Sequence, residues 1–311
     1  MLSRRLLRIK VIKELYSHLK SESDSMTGSL RNLTASIDKT YELYHQMLEL
    51  IVEVQRYARQ RIELGQKKRL PTKEELNPNL RFVDNAVVAQ IADSKPLADY
   101  LAKCAPAWND RPELIKILYN DLTASDFYRR YMEAGGHTYK DDVQLAENFY
   151  IEIADNCEAL EEAIEELSIQ WVDDMDFSIL MVLRSLSMCR AGQSLPIVQE
   201  FKNDDDRRFA GELFRSALAN YGDYMKYIEK FTQNWDVDRI AFLDGLIMVA
   251  AIAELINFPT IPVKVTFDEY IEISKYYSTP GSSVFINGLL DKIVEELRTQ
   301  QLINKEGRGL M

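Results

Sequence analysis

The stretch FPTIPVKVTFDEYIEISKYYSTPGSSVFINGLLDKI, residues 258–293, carries the clearest helix and break signals in the chain. Pro259 and Pro262 stop a preceding helix, because proline lacks the backbone N–H that a helix interior needs. Asp268 is suited to capping the helix that follows. From these signals we predict a connector over 257–269, helices over 268–276 and 282–300, and a break at 278–282.

The rest of the chain has the same helical spacing. Leu7, Val11, Leu15 and Leu19 recur every fourth residue, which predicts a helix over 2–20. No convincing period-two pattern occurs, so the predicted fold class is all-α. Further helices are predicted at 31–64, 82–93, 96–104, 112–121, 124–133, 176–189 and 237–257, with a loop at 21–30, a connector at 71–80 and a frayed tail at 301–311.

Composition bounds the environment in which the protein works. The chain has 311 residues, 46% of them apolar, and a formal net charge of −11. This average charge repels phosphates, so nucleic-acid binding would need a local basic surface. Three cysteines, an odd number without a CxxC pair, fit a reducing cytoplasm. The apolar stretch 240–256 contains two acids and predicts a buried helix rather than a membrane span.

Signatures of catalysis are missing from the sequence. No Walker-type phosphate loop occurs, and no GxGxxG follows a strand. The three histidines, His18, His45 and His137, have no metal-ligand spacing. Runs of acids such as Glu161-Glu162 are typical of a solvated helix face. We therefore predict a binding protein that is not an enzyme and has no metal or cofactor.

Two basic islands interrupt the acidic background. The first lies in residues 1–20 and the second in residues 56–69, each with six Lys or Arg against a single Glu. Arginine forks suit phosphates and base edges, so RNA binding is one interpretation. Surface cations on a soluble helix are the other. The first island contains Arg4, Arg5, Arg8, Lys10, Lys13 and Lys20, and the second contains Arg56, Arg59, Arg61, Lys67, Lys68 and Arg69.

Two stretches, 145–171 and 209–235, align without a gap at a shift of 64 residues. Asn156 then meets Asn220, and Trp171 meets Trp235. Each stretch predicts a helix hairpin followed by another apolar helix, which is consistent with an internal repeat. Amphipathic helices also share composition by chance, so an accidental match is the alternative.

The C-terminal stretch resembles the NusB family of transcription antitermination factors. That family reads loosely V-P-x-K-V, then a helix, a short loop and F-V-N-G-V-L-D-K. Here PVKV and FINGLLDK stand at the corresponding distance, and RRLLRIKVIKELYSH resembles the family's first helix. The resemblance implies an all-α, NusB-like helical bundle core split by a large helical insertion. The implied division is a core of 1–20 plus 207–296, an insertion of 21–206 in which 145–189 repeats the core hairpin, and a tail of 297–311.

The resemblance also implies a function. Proteins of this family bind boxA-type RNA of ribosomal RNA leaders with a small-subunit ribosomal protein, also called NusE, and act on RNA polymerase elongation complexes in the cytoplasm. The implied RNA-binding residues are Arg4, Arg5, Arg8, Lys264 and Phe285. The implied partner-binding residues are Tyr16, Asp238 and Asp244.

Departures from the family pattern leave two other hypotheses open. Gly281, Ser282, Ser283 and Val284 precede Phe285, where the family often carries acidic and basic residues. A protein-interaction scaffold that has kept the fold and lost RNA binding is therefore an alternative. NusB-like domains also precede RNA cytosine methyltransferases, but no methyl-donor domain is predicted in this chain.

Overall fold

The structure is a computed structural model that describes residues 1–21, 25–232 and 241–310. No strand occurs in these residues, and the predicted all-α fold is confirmed. The helices are α1 (Arg4–Lys20), α2 (Met26–Gln66), α3 (Lys73–Leu76), α4 (Ala86–Ala92), α5 (Lys95–Leu101), α6 (Pro112–Ala124), α7 (Asp126–Glu133), α8 (Tyr139–Asn148), α9 (Glu158–Leu167), α10 (Met175–Met188), α11 (Asp204–Ala219), α12 (Tyr221–Phe231), α13 (Phe242–Asn257), α14 (Val263–Tyr277) and α15 (Ser282–Thr299).

The chain divides into two compact units. The terminal unit comprises Leu2–Ile37 and Phe201–Met311, and the middle unit comprises Asp38–Glu200 together with Met1. Helix α2 therefore contributes its first turns to the terminal unit and the rest to the middle unit. That residues 21–206 are an insertion into a NusB-like core stays a prediction.

The core of the terminal unit is built around α13. Every residue from Asp244 to Leu255 in this helix is buried, as expected for a helix that is apolar on all sides. Helices α1, α11, α12, α14 and α15 pack against it. Helix α1 begins where the Ser3 hydroxyl accepts a hydrogen bond from the Leu6 N–H at 3.2 Å, which satisfies one of the free donors of the first turn.

In the middle unit, side-chain donors fix α2 in place. The Trp108 indole donates to the Gln46 carbonyl, and the Tyr150 hydroxyl to the Met47 carbonyl, each at 2.7 Å. Tyr150 follows α8 in a single π-helical turn, Phe149–Ile153. The Tyr44 hydroxyl lies 2.7 Å from the Ser185 hydroxyl of α10. These bonds satisfy polar groups that would otherwise be buried without partners.

The two aligned stretches of the proposed repeat both fold as helix, break, helix. The first breaks after a short 3-10 turn that ends at Asn156, and the second breaks at Asn220 between α11 and α12. Trp171 is buried, whereas its counterpart Trp235 lies outside the described residues, as does the start of the helix predicted over 237–257. Duplication itself stays a prediction.

Several predicted boundaries are wrong. Helix α3, Lys73–Leu76, lies inside the predicted connector 71–80, and the helix predicted from residue 82 begins at Ala86. The serine-rich segment 21–30 was expected to be a loop, yet α2 begins at Met26, with the Ser25 hydroxyl accepting from the Gly28 N–H at 3.0 Å. The helix expected from Asp268 begins five residues earlier, at Val263, directly after Pro262. Proline is tolerated before and within a first helical turn, so it marks the start of α14 rather than a longer connector.

The C-terminal segment is packed instead of frayed. The Glu306 N–H donates to the Pro259 carbonyl at 2.9 Å, and Lys305 Nζ donates to the Phe258 carbonyl at 3.0 Å. Burial lowers the pKa of Lys305. A Cβ on Gly309 would lie 1.9 Å from the Pro259 carbonyl oxygen, so this close approach requires glycine.

No helix in the described parts of the chain combines the length and the apolar character that crossing a bilayer demands. Cys104, Cys157 and Cys189 are all free thiols.

Candidate nucleic-acid interface

A buried ion pair lies at the centre of the terminal unit. Arg8 of α1 is 2% exposed, and Glu254 of α13 is fully buried. Arg8 Nε donates to Glu254 Oε2 at 2.7 Å, and Nη2 donates to Oε1 at 2.8 Å. This two-bond geometry is the strongest form of an Arg–carboxylate contact. It joins the first helix of the chain to the core helix of the unit.

Further donors complete the environment of Glu254. The Thr266 hydroxyl donates to it at 2.8 Å, and the Tyr270 hydroxyl at 3.3 Å, both from α14. Burial alone lowers the pKa of Arg8, but hydrogen bonding and Coulombic attraction from Glu254 outweigh burial and raise that pKa. Burial, reinforced by the charge of Glu254, raises the pKa of Tyr270 well above its usual value. The carboxylate therefore joins α1, α13 and α14.

Arg4 and Arg5 lie on the same helix end but keep part of their surface. Arg5 makes two 2.9 Å bonds to Glu269 of α14, and these bonds raise its pKa. Arg4 Nε donates to Asp206 of α11 at 2.7 Å, and its guanidinium lies over the Phe209 ring. The Arg4 side chain is 33% exposed, and the Arg5 side chain is 42% exposed. Both guanidiniums are oriented by carboxylates and remain accessible at one edge.

The three predicted RNA-binding arginines are thus close together but not equivalent. Arg8 also lies 3.5 Å from Glu269, so one carboxylate contacts both Arg5 and Arg8. A side chain that is 2% exposed presents no surface to RNA in this arrangement. Arg8 is placed to hold α1, whereas Arg4 and Arg5 keep part of their side chains exposed.

Lys264 occupies a different position, in the first turn of α14. It is exposed and has no ion pair among the described residues. It lines a groove of about 1270 Å³ together with Asn287 and Asp291 from the FINGLLDK motif. The packed C-terminal segment forms another part of the wall, including Lys305. The structure therefore brings the two halves of the motif, PVKV and FINGLLDK, to one groove.

Phe285 lies in the first turn of α15 and is half-buried. The turn before it contains Gly281, whose φ of +95° lies in the left-handed region that favours glycine. Val284, which directly precedes Phe285, is 76% exposed. The four residues that precede Phe285 in sequence, 281–284, are all uncharged.

The partner-binding candidates also differ in exposure. Tyr16 is 44% exposed and contacts the Phe242 ring edge-on at 5.5 Å. It borders an apolar pocket of about 280 Å³ between α1, α13 and α14. The other lining residues of this pocket are Ile9, Ile12, Lys13, Leu243, Ile273 and Tyr277.

Asp244 is only 4% exposed, so its carboxylate is not on the surface. The Ser282 hydroxyl donates to it at 2.8 Å, and the Ser278 hydroxyl donates as well. These bonds attach the turn between α14 and α15 to the core helix, which is a structural role. Asp238, the remaining candidate, lies outside the described residues.

Sequence reasoning missed Glu254 and Glu269 as partners of the arginines. One signal was available, because Glu254 is an acid inside the most apolar stretch of the chain, and a buried charge requires a partner. No comparable signal marked Glu269, whose role depends on which helices pack together. Within the described residues, no group of three or more His, Cys, Asp or Glu side chains is arranged to hold a metal ion.

The fold and these contacts define an all-helical protein whose candidate site is a binding surface. A model of the NusB family matches residues 192–295. A transcription antitermination protein NusB from Salinibacter ruber is 42% identical over 124 residues, which cover 39% of this chain and 78% of that relative. The chain therefore belongs to the NusB family.

Two other relatives carry the same printed name, transcription antitermination protein NusB. The one from Chloroherpeton thalassium is 37% identical over 115 residues, covering 37% of this chain and 53% of the relative. The one from Thermodesulfovibrio yellowstonii is 36% identical over 97 residues, which cover 31% of this chain and 64% of that relative. The chain thus covers less than two thirds of these two relatives. No solved structure matches the chain.

Proposed function

We propose that this protein is a transcription antitermination factor that acts by binding and not by catalysis. In this proposal it binds boxA-like RNA of ribosomal RNA leaders together with a small-subunit ribosomal protein, NusE, in the RNA polymerase elongation complex. The observation that supports this most strongly is the 42% identity to a protein named transcription antitermination protein NusB, of which the chain covers 78%.

The proposed RNA surface uses the exposed groups of the terminal unit. Arg4, Arg5 and Lys264 supply positive charge, and Phe285 supplies a ring on which an unpaired base can stack. The ion pairs of Arg4 and Arg5 do not oppose this role, because partly exposed pairs contribute only about 0–1 kcal/mol each. A phosphate can therefore replace the carboxylate at each guanidinium, or bind the same guanidinium beside it.

Arg8 enters the proposal as a positioning residue. Its bonds to Glu254 hold α1 against α13, and its contact with Glu269 holds the carboxylate that orients Arg5. In this role Arg8 affects RNA binding through Arg5 and through the stability of the unit.

The proposed partner surface is the apolar pocket beside Tyr16. An exposed tyrosine at the edge of an apolar pocket is the kind of residue that contributes strongly to protein interfaces. Asp244 supports this surface from the interior, because it is bonded to Ser278 and Ser282 instead of facing solvent.

Fluorescence anisotropy with a labelled boxA RNA and a scrambled RNA of equal length tests the proposal. The protein is titrated alone and then with the ribosomal protein, at fixed salt, because phosphate contacts depend strongly on ionic strength. A preference for boxA that tightens with the partner supports the proposal. Equal, weak binding to both RNAs in both conditions contradicts it.

A matched pair of variants tests the partner surface. Tyr16→Ala removes the ring at the apolar pocket, whereas Tyr276→Ala removes an 81% exposed ring that does not line it. We expect Tyr16→Ala to weaken binding of the ribosomal protein about tenfold or more. Tyr276→Ala is expected to leave it within about twofold. Equal effects of the two substitutions would remove the pocket from the proposal.

A second candidate function, a protein-interaction scaffold without RNA binding, is favoured by one observation. All three arginines of the first island that were candidate RNA ligands are paired with carboxylates. The scaffold hypothesis predicts that Arg4→Ala and Arg5→Ala leave RNA affinity unchanged while the ribosomal protein still binds. The antitermination proposal predicts that these substitutions weaken RNA binding.

A further inference from the structure

The end of α2 in the middle unit borders a groove of about 510 Å³. Its apolar wall consists of Tyr57, Ile62, Leu64 and Pro78, with Tyr119 from α6. Tyr57 and Tyr119 contact each other edge-to-face, with 5.2 Å between their ring centroids. We call this feature the α2 groove.

Exposed leucines occur in the segment that supplies most of the residues lining the α2 groove, and Leu64 is itself one of them. Leu64 and Leu70 are 66% and 87% exposed, and Leu76 and Leu80 are also exposed. All four lie within seventeen residues of sequence, 64–80. Soluble proteins rarely concentrate large apolar side chains on an uncovered surface, so this surface fits a protein partner.

The charges that line the α2 groove are mixed, and Arg61 is the lining cation for which the described residues provide no ion pair. Four cations of the second basic island have nearby carboxylates, for example Lys68 with Glu75. Arg61 instead lies over the Tyr119 ring at 5.7 Å, and neither it nor Arg69 has an ion pair among the described residues. Glu74 and Glu75 also line the groove, which disfavours a nucleic-acid strand. Tyrosine and arginine beside leucine are typical of protein interfaces.

A surface of complementary chemistry occurs elsewhere in the same unit. Helix α9 carries five glutamates in ten residues and no cation. All five are exposed, and within the described parts of the chain only Glu166 has an ion pair, with Arg111. Ile169, just beyond the helix, is 83% exposed. An acidic face next to a protruding aliphatic side chain matches an apolar groove that is lined by Arg61, with Arg69 next in sequence to the lining residue Lys68.

We propose that the occupant of the α2 groove is a second copy of this chain, which docks the acidic face of α9. In this contact Ile169 of one copy enters the groove of the other, and its glutamates face Arg61 and Arg69. Each copy has one groove and one acidic helix, so a two-fold pair satisfies both surfaces of both chains. This inference does not depend on the proposed RNA-binding function.

Light scattering after size exclusion, with sedimentation velocity, measures the mass of the full chain over a range of concentrations. The proposal predicts conversion from 36.0 kDa to twice that mass as concentration rises. Higher salt should shift the conversion to higher concentration, because exposed charges are screened. A mass that stays at 36.0 kDa throughout, or a pair insensitive to salt, overturns the proposal.

A charge exchange tests the specific contact. Arg61→Glu with Arg69→Glu reverses the groove, and Glu161→Lys with Glu165→Lys reverses the acidic helix. Each double variant should raise the dissociation constant more than about tenfold, because both contacts of its own pair become repulsive. In an equimolar mixture the two variants should associate again, with one native contact and one contact in which the charges are exchanged. All four positions are exposed, so folding should be retained, and circular dichroism checks this.

The matched control for the groove variant is Lys103→Glu with Lys140→Glu, which makes the same charge change as that variant at exposed positions of the middle unit. This control should associate like the parent chain. A mixture of the two reversed variants that stays monomeric overturns the proposal. So does tight binding of a twelve-nucleotide uridine RNA that is lost in Arg61→Glu with Arg69→Glu, because this result would assign the groove to single-stranded RNA.

Discussion

The start of α1 and the end of α2 have nearly the same charge composition but opposite environments. Arg8 in α1 is 2% exposed and makes two bonds to the buried carboxylate of Glu254. Arg61 in α2 is exposed and rests against an aromatic ring. A count of cations therefore does not define a ligand surface. Carboxylates brought from distant parts of the chain decide which cations stay available.

Removing one arginine from each island should have very unequal effects on the free energy of unfolding. Arg8→Ala leaves Glu254 buried without its main partner and should cost about 3–5 kcal/mol of stability. Arg61→Ala should change stability by less than about 0.5 kcal/mol. Urea unfolding measures both effects, and hydrogen exchange of the α1 and α13 amides reports on Arg8→Ala in the terminal unit.

The control for Arg8→Ala is a double variant, Arg8→Met with Glu254→Met. This variant removes both charges and keeps volume in the core. Its loss in free energy of unfolding should therefore be smaller than the sum of the losses for Arg8→Met and Glu254→Met alone. A loss below about 1 kcal/mol for Arg8→Ala alone would contradict the structural role assigned to this residue.

The middle unit contains a buried basic group, His45, that has no carboxylate partner among the residues the structure describes. His45 in the middle unit is 2% exposed, stacks on Tyr100 at 3.7 Å and lies 2.8 Å from the Tyr41 carbonyl. Burial lowers its pKa from 6.5 to about 4. The unfolded chain therefore takes up the proton first as pH falls below 6.5.

Stability from neutral His45 should be fully present above pH 6.5 and lost between pH 6.5 and about 4. The loss should approach about 3 kcal/mol, at 1.36 kcal/mol for each pKa unit. Urea unfolding followed by tryptophan fluorescence reports on this unit through Trp108 and Trp171. In His45→Phe the free energy of unfolding should fall less steeply between pH 6.5 and about 4. An unchanged pH dependence would show that the imidazole is not buried in its neutral form.

The smallest expected effects concern the half-exposed arginines. Arg5→Ala and Arg4→Ala should each cost about 1 kcal/mol or less, since partly exposed ion pairs contribute little to stability. Thermal unfolding of both variants beside Arg8→Ala measures the difference. Equal losses of stability for all three substitutions would contradict the assignment of Arg8 alone to holding α1 in place.

The sequence was sufficient for the fold class but not for the state of each site residue. Apolar spacing gave α1, α13 and α15, and the PVKV and FINGLLDK motifs gave the family. The burial of Arg8 and Asp244 depends on contacts across more than thirty residues of sequence, which spacing within one helix does not encode. The start of α14 was missed because proline permits a helix start as well as a helix end.

The most direct measurement compares the two islands as RNA ligands. Arg4→Ala, Arg5→Ala and Lys264→Ala are combined in one variant, and Arg56→Ala, Arg59→Ala and Arg61→Ala in another. With the ribosomal protein present, the first variant should lose about tenfold or more in boxA affinity, and the second should stay within about twofold. Loss in the second variant alone, or in neither, would contradict the assignment of RNA recognition to the terminal unit.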